Sequence, residues 1–244
     1  MILSQPDLFK AHVKNLRAVN AGILQIELRV KEAIAKEDVA CSDTLLKILL
    51  LLTGTWAECR LRKLLAEPAG FSSQQITTIT NERSQVEMWL KALELGYRSR
   101  YNIPNATFSK NSLGATPFMR YEAIYTLVDS QLRPLIEMRN TLAHGQWERP
   151  FNSAMSNIST RMCISIRNEN TLSARFKRSI LLNLSELIHD LVTSPIAFER
   201  DFDKHFKIIE QTRINMEKKE YGAWKDMLIN KYKKGQLART NQTL

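Results

Sequence analysis

Cysteine, glycine and proline are all scarce in this chain of 244 residues. Its three cysteines, Cys41, Cys59 and Cys163, are odd in number and far apart. This spacing excludes a disulfide framework and a Cys-x-x-Cys metal knuckle, so a reducing cytoplasm is expected. Because only eight glycines and seven prolines interrupt the sequence, long helices are expected rather than a many-stranded sheet.

Long hydrophobic runs are missing too. The first twenty residues carry charges early and have no long apolar core, which argues against a signal peptide. The most apolar run, residues 45–52, contains Lys47 and is far shorter than the roughly 20 residues that cross a bilayer. We expect this run to lie in the middle of a buried helix, with no membrane attachment.

Several familiar site patterns are also absent from the sequence. It contains no glycine-rich phosphate loop, no Gly-x-Ser-x-Gly elbow and no paired-carboxylate site. His12, His189 and His205 are isolated and do not follow the spacing of metal ligands. No metal and no cofactor is therefore predicted.

Basic residues are in excess, with 35 Lys and Arg against 25 Asp and Glu, a net charge of +10. A basic protein favours acidic partners, which include nucleic acid, an anionic membrane face or an acidic protein. Solubility alone would also account for the charge. The apolar fraction of 44% and the charged fraction of 25% are those of a globular domain.

Apolar residues recur at helical spacing over most of the chain, and caps and breakers bound the helices. Ser42 or Asp43 is expected to cap the second helix, Gly96 to stop the third, and Pro134 to kink the fourth. The predicted helices are residues 6–36, 43–67, 72–95, 117–144, 172–192 and 195–219.

Three segments break this pattern. Residues 97–117 read as a basic loop or lid whose arginines and tyrosines could touch nucleic acid, or as a plain solvated loop. Residues 159–167 alternate and predict a small β-hairpin with its turn at 168–170. The chain is expected to form one all-α domain over residues 1–230, with a helical C-terminal extension and a flexible basic tail over 231–244.

One short motif carries chemistry. Residues 139–145 read Arg-Asn-Thr-Leu-Ala-His-Gly, with four residues between Arg139 and His144. This stretch resembles the motif of the HEPN superfamily, which is an Arg, four to six residues and a His, often with a polar residue directly after the Arg. The position of the motif near the end of a late helix is similar as well.

The resemblance implies an all-α, HEPN-like helical bundle that cuts RNA without metal as a homodimer, two motifs facing each other in one cleft. It also implies an acidic or polar residue on the second helix that reaches towards the cleft, and Glu58 is our candidate. An ion pair of Glu58 with Arg62, one turn away, is the alternative. Relatives controlled by a nucleotidyltransferase have a tyrosine two residues after the His, where this chain has Gln146.

The residue types suit this reaction. Histidine can move the protons of the 2′-hydroxyl and of the leaving oxygen, and arginine can hold the charged phosphorane. Asn140 can orient the phosphate or the histidine, and Gly145 suits the left-handed position after a helix. On one ideal helix Arg139 and His144 lie about 140° apart, so a distorted helix or a second copy is needed to bring them together.

Alternatives remain at this level. Arg200 and His205 repeat the bare spacing, although in a highly charged extension. Arg139 and His144 could also serve only to pair and to end a helix. Two functions follow: an endoribonuclease acting as a toxin or anti-phage effector on tRNA, mRNA or rRNA under a regulatory partner, or a non-catalytic binding subunit such as an antitoxin, immunity protein or adaptor.

Overall fold

The computed structural model describes residues 4–240, which form an all-α protein. About 81% of the chain is helical, and the described residues contain no strand beyond one isolated bridge between Phe151 and Ile158. The helices are α1 (Gln5–Ala35), α2 (Val39–Leu65), α3 (Ser73–Thr80), α4 (Gln85–Tyr101), α5 (Lys110–Leu113), α6 (Ala115–Leu127), α7 (Arg133–Ala143), α8 (Thr160–Arg167), α9 (Thr171–Thr193), α10 (Pro195–Lys218) and α11 (Tyr221–Thr240).

The two longest early helices, α1 and α2, pack against each other across a short connection. Glu37 turns the chain with φ 61°, and the side chain of Asp38 accepts a hydrogen bond from the Cys41 amide. The predicted cap at Ser42 or Asp43 was therefore wrong, and α2 begins four residues earlier. Aspartate is among the preferred N-cap residues, since its side chain can accept from an amide of the first turn.

The third predicted helix, residues 72–95, is in fact two helices. Ser72 caps α3 as expected, but the chain leaves the helix after Thr80 and Ser84 caps α4. Gly96 lies inside α4 rather than at its end, so the predicted stop was wrong. A β-carbon at Gly96 would stand 3.0 Å from Leu191 Cδ2 on α9, which shows that this glycine permits close helix packing.

The motif helix is continuous from α6 to α7 through a π-helical turn, Val128–Leu132. The Arg133 amide donates to the carbonyl of Val128, five residues back, and the Ser130 hydroxyl donates to the Thr126 carbonyl at 2.7 Å. Pro134 follows directly and has no N–H to donate. The π turn adds one residue to the helix before the motif, and the kink expected at Pro134 itself stays a prediction.

The predicted hairpin over residues 159–170 was wrong, because residues 160–167 form helix α8. Ser159 caps it by accepting from the Met162 amide. Ile166 is buried and Met162, four residues earlier, packs on the core, while Ile164 is 51% exposed. A short alternating run fits either periodicity, and here the cap and the core contact favoured the helix.

Helices α9 and α10 follow the predicted ranges 172–192 and 195–219 closely, whereas α11 had no predicted range of its own. Asn170 caps α9, and Ser194 with Pro195 separates α9 from α10. The segment expected to be a flexible tail is helical through residue 240, and residues 241–244 lie outside the part of the chain that the structure describes. The flexibility of this segment stays a prediction.

Buried apolar side chains of α2, α4, α7, α9 and α10 form one continuous core. Residues 45–52 lie inside α2, as expected, and Lys47, Leu49 and Leu50 are buried while the other five are partly buried. Within residues 4–240, α2 is the one helix long and apolar enough to cross a membrane by composition. It packs between α1 and α7, and core helices of globular proteins pass the same test.

Candidate functional site

The motif lies at the C-terminal end of α7. Arg139 and Asn140 lie in its last turns, and His144 is its C-cap residue. Gly145 has φ +74°, which confirms the expected left-handed residue. The Gln146 amide donates to the Thr141 carbonyl at 3.2 Å and the Gly145 amide to the Leu142 carbonyl at 3.1 Å. These two bonds form a Schellman motif and fix where the helix ends.

The segment after the motif is anchored to α2 and α7. The Trp147 indole donates to the Leu142 carbonyl at 2.9 Å. The ammonium group of Lys47, buried on α2, bonds Glu148 Oε1 at 2.6 Å and Asp43 Oδ2 at 2.9 Å. The chain around His144 is therefore held from both sides.

The side chain of Arg139 packs against α2 at Gly54. A β-carbon at Gly54 would stand 2.4 Å from the Arg139 β-carbon and 2.6 Å from its γ-carbon, so only glycine fits there. One helical turn further along the same face of α2 comes Glu58, whose carboxylate bonds the Arg139 guanidinium. Sequence reasoning missed Gly54. An isolated glycine inside an apolar helix was the signal that could have revealed it.

Glu58 lies between two cations. Besides Arg139 it faces Arg62, whose Nη2 is 3.5 Å from Glu58 Oε1, so the ion pair considered as the alternative is present. The role of Glu58 at an active cleft stays a prediction. Arg139 also donates to the Asn140 side-chain oxygen at 2.9 Å. The side chains of Arg139 and Glu58 are 22% and 33% exposed, which leaves both within reach of a ligand.

A groove of about 330 Å³ opens beside this ion pair. The Gln85 side-chain nitrogen is buried and has no hydrogen-bond partner among the described residues. Three arginines and two glutamates give the lining a small positive balance, which suits an anionic ligand. The lining residues are Glu58, Leu61, Arg62, Glu82, Arg83, Ser84, Gln85, Met88, Arg139 and Asn140.

His144 does not line this groove. It is exposed, and its ring has no hydrogen-bond partner in residues 4–240. Within one chain the structure thus brings Arg139, Asn140 and Glu58 together in this groove and leaves His144 outside it. The five-residue spacing of Arg139 and His144 on a helix predicts their separation.

Cys59, next to Glu58, offers no alternative nucleophile. Burial raises the pKa of its thiol, and the Glu58 carboxylate raises it further against the opposing effect of Arg139 and Arg62. A thiol with a raised pKa stays protonated near neutral pH and is a poor nucleophile.

The second Arg-x4-His pair has other partners. Arg200 is exposed and pairs with Asp201 at 2.6 Å. His205 Nδ1 lies 2.9 Å from the Asn183 side-chain oxygen on α9. Neither residue lines the groove of Arg139, so this pair is held by contacts within α10 and between α10 and α9.

The predicted loop at residues 97–117 is shorter than expected, because residues 97–101 belong to α4 and 110–113 form α5. Tyr97 is 0% exposed and therefore cannot contact nucleic acid, so the expected contact was wrong for this tyrosine. Arg98 donates to the carbonyls of residues 103, 104 and 106 and thereby closes the loop. Arg100 pairs with Glu199 at 2.7 Å. Both arginines thus stabilise the fold.

His189 is less isolated than its sequence context indicates, since it lies with Glu186 and Asp190 in a group whose potential ligand atoms are within 4.8 Å of one another. Arg60 already pairs with Glu186 at 2.9 Å. Burial, Arg60 and Lys63, in that order, lower the pKa of His189. Arg60 and Lys63 already provide positive charge at this group. We therefore interpret Glu186, His189 and Asp190 as a structural ion-pair cluster rather than a metal site.

Comparison with known proteins adds no relative. No protein-family model matches the chain, and no curated protein and no solved structure matches it.

Proposed function

We propose that this chain is a metal-independent endoribonuclease of HEPN type, a cytoplasmic toxin or anti-phage effector that cuts tRNA, mRNA or rRNA. The observation that carries the proposal is the placement of Arg139. The stem of its side chain packs on Gly54 at the α2–α7 crossing, and its guanidinium is bonded to Glu58 and Asn140 beside a groove. The exposed His144 ends the same helix.

The roles of the four residues follow from their chemistry. Arg139 holds the non-bridging oxygens of the phosphate and stabilises the phosphorane that forms when the ribose 2′-hydroxyl attacks. His144 moves a proton to or from the reacting oxygens. Asn140 orients the phosphate through its amide, and Glu58 positions Arg139. None of these steps uses a metal or a cofactor.

Two copies of the chain complete the site in this proposal, because His144 and the Arg139 groove do not converge within one. The chain next to His144 exposes apolar side chains that suit a protein contact, with Phe151 44%, Met155 62% and Ile158 47% exposed. The Phe151 amide and Met155 sulfur both bond Gln146. Gln146, in place of a tyrosine, favours control by a binding partner over nucleotidyl transfer.

RNA cleavage in EDTA by purified wild type, Arg139→Ala and His144→Ala tests the proposal. Wild type alone should cut total bacterial RNA and leave 2′,3′-cyclic phosphate or 2′-phosphate ends. Arg200→Ala and His205→Ala are matched controls at the second Arg-x4-His pair and should cut like wild type. Cleavage that survives either of the first two substitutions would contradict the site.

Mixing the two inactive variants tests the shared site. If Arg139 of one copy works with His144 of the other, a one-to-one mixture forms about half heterodimers, each with one intact site of two. The mixture should therefore recover about a quarter of wild-type cleavage. No recovery from a mixture shown to exchange subunits would place both residues of a working site on one copy.

A second candidate is a non-catalytic binding or dimerisation subunit. It is favoured by the separation of His144 from the groove, since a groove with Arg139 and Asn140 alone can bind an anion but cannot move its protons. This candidate predicts no cleavage and RNA or protein binding that is unaltered in His144→Ala.

A further inference from the structure

A second groove lies away from the motif, where α9 meets the end of α10 and the start of α11 next to α1. Its volume is about 420 Å³, within the range of small-molecule sites. The lining combines cations, aromatic rings and hydroxyl groups, and consists of Glu27, Leu172, Arg175, Phe176, Arg178, Ser179, Leu182, Thr212, Lys219 and Trp224.

The positive charge of this groove is only partly neutralised. Its single carboxylate, Glu27, pairs with Arg178 at 3.0 Å, and both side chains are only 13% exposed. Arg178 is held further by Asn20, which accepts from its Nη2 at 2.8 Å. Glu27 and Arg178 therefore pair with each other in the lining of the groove, while the buried Nε of Arg178 has no hydrogen-bond partner among the described residues.

Arg175 and Lys219 are left without a carboxylate. Both are exposed, and neither has an ion-pair partner among residues 4–240. Lys31 lies nearby, and its pKa is lowered by burial and then by Arg175, against the opposing effect of Glu27. Arg175 and Lys219 thus bring two cations without an ion pair among the described residues to a concave surface, which is an attractive setting for a phosphate.

Two aromatic rings stand next to these cations. The Lys219 ammonium lies 5.9 Å from the centre of the Phe176 ring, and Trp224, half-buried, has Tyr221 at 5.9 Å between ring centres. Every nucleobase has a flat π face that stacks on such rings, and the adjoining phosphate needs cations.

We propose that this groove binds a nucleotide, with its phosphate between Arg175 and Lys219 and its base against Trp224. The nucleotide is either free in solution or part of an RNA strand, and both present the same phosphate and base. The proposal does not depend on cleavage at Arg139 and His144, because it rests on other residues and other helices.

Tryptophan fluorescence measures this binding directly. Adenosine monophosphate and a five-residue oligoadenylate are titrated into the full chain carrying His144→Ala, so that the RNA stays intact if the protein is a nuclease. The sequence has four tryptophans, and Trp224→Phe in the same background identifies the signal of Trp224. Saturable quenching that disappears with Trp224→Phe is expected.

The double variant Arg175→Ala, Lys219→Ala should weaken binding by about tenfold or more, since two charged contacts are lost. Lys204→Ala, Lys207→Ala is the matched control, because it removes two exposed lysines of α10 that do not line the groove. Quenching by the monophosphate supports a free nucleotide, and quenching by the oligoadenylate alone supports an RNA strand. No saturable quenching, or equal affinities in both double variants, would overturn the proposal.

Discussion

Arg139 of α7 packs directly on Gly54 of α2, so closely that a β-carbon at Gly54 would stand 2.4 Å from the Arg139 β-carbon. The contact involves the stem of the arginine rather than its flexible end. The same face of α2 provides Glu58, which binds the guanidinium. Gly54 thus leaves room for the stem of Arg139, and Glu58 orients its guanidinium.

Gly54→Ala is therefore expected to force α2 and α7 apart and to destabilise the fold by about 1–3 kcal/mol, as overpacking does. Chemical denaturation measures this change. Gly22→Ala on α1 is the control, since a β-carbon there would make ordinary contact at 3.8 Å from Leu52 Cδ1. That variant should gain about 0.5–1 kcal/mol from helix propensity. Equal stabilities of the two variants would refute the close contact.

Glu58→Gln tests the positioning of Arg139. Because both side chains are partly exposed, the free energy of unfolding should fall by no more than about 1 kcal/mol. If the proposed ribonuclease is correct, kcat should fall roughly tenfold or more with little change in KM, since a misplaced cation no longer meets the phosphorane. Glu82→Gln, in the same groove but near Lys91 at 3.7 Å, should keep its activity.

The left-handed backbone at Gly145 predicts a graded response to substitution. No atom lies within 4 Å of a β-carbon built there, so any effect comes from φ +74° alone. Gly145→Ala should lose about 1 kcal/mol of stability, whereas Gly145→Asn should lose less because asparagine tolerates this region. Thermal unfolding of the pair measures the difference, and a larger loss in the asparagine variant would contradict it.

The lowered pKa of His189 predicts that the folded state loses stability in acid. Burial, Arg60 and Lys63 lower its pKa in the folded chain, so the unfolded chain takes up a proton on this ring at a higher pH. The contribution of neutral His189 to the free energy of unfolding is present above about pH 6.5 and is lost as the pH falls below that value. Urea unfolding at pH 7 and pH 5 should show a smaller acid loss for His189→Gln than for wild type. An identical loss would show that this ring does not contribute.

Local signals in the sequence were sufficient for the fold class and for many helix ends. The Ser194-Pro195 break and the left-handed Gly145 were predictable because each depends on residues close in the chain. The separation of Arg139 from His144 on one helix followed from helix geometry alone. The motif and its resemblance likewise needed only the sequence, whereas their catalytic role stays a prediction.

Contacts between distant residues decided the rest. Gly54 and Gly96 look alike in the sequence, as isolated glycines near apolar residues, and only packing shows that each admits another helix. The choice of helix over hairpin at residues 160–167 depended on burying Ile166 against the core. The pairing of Glu58 with Arg139, and the meeting of Arg175, Lys219 and Trp224 in one groove, join residues far apart in the chain. Local propensity cannot predict such pairs, because their free energy arises only when the helices pack.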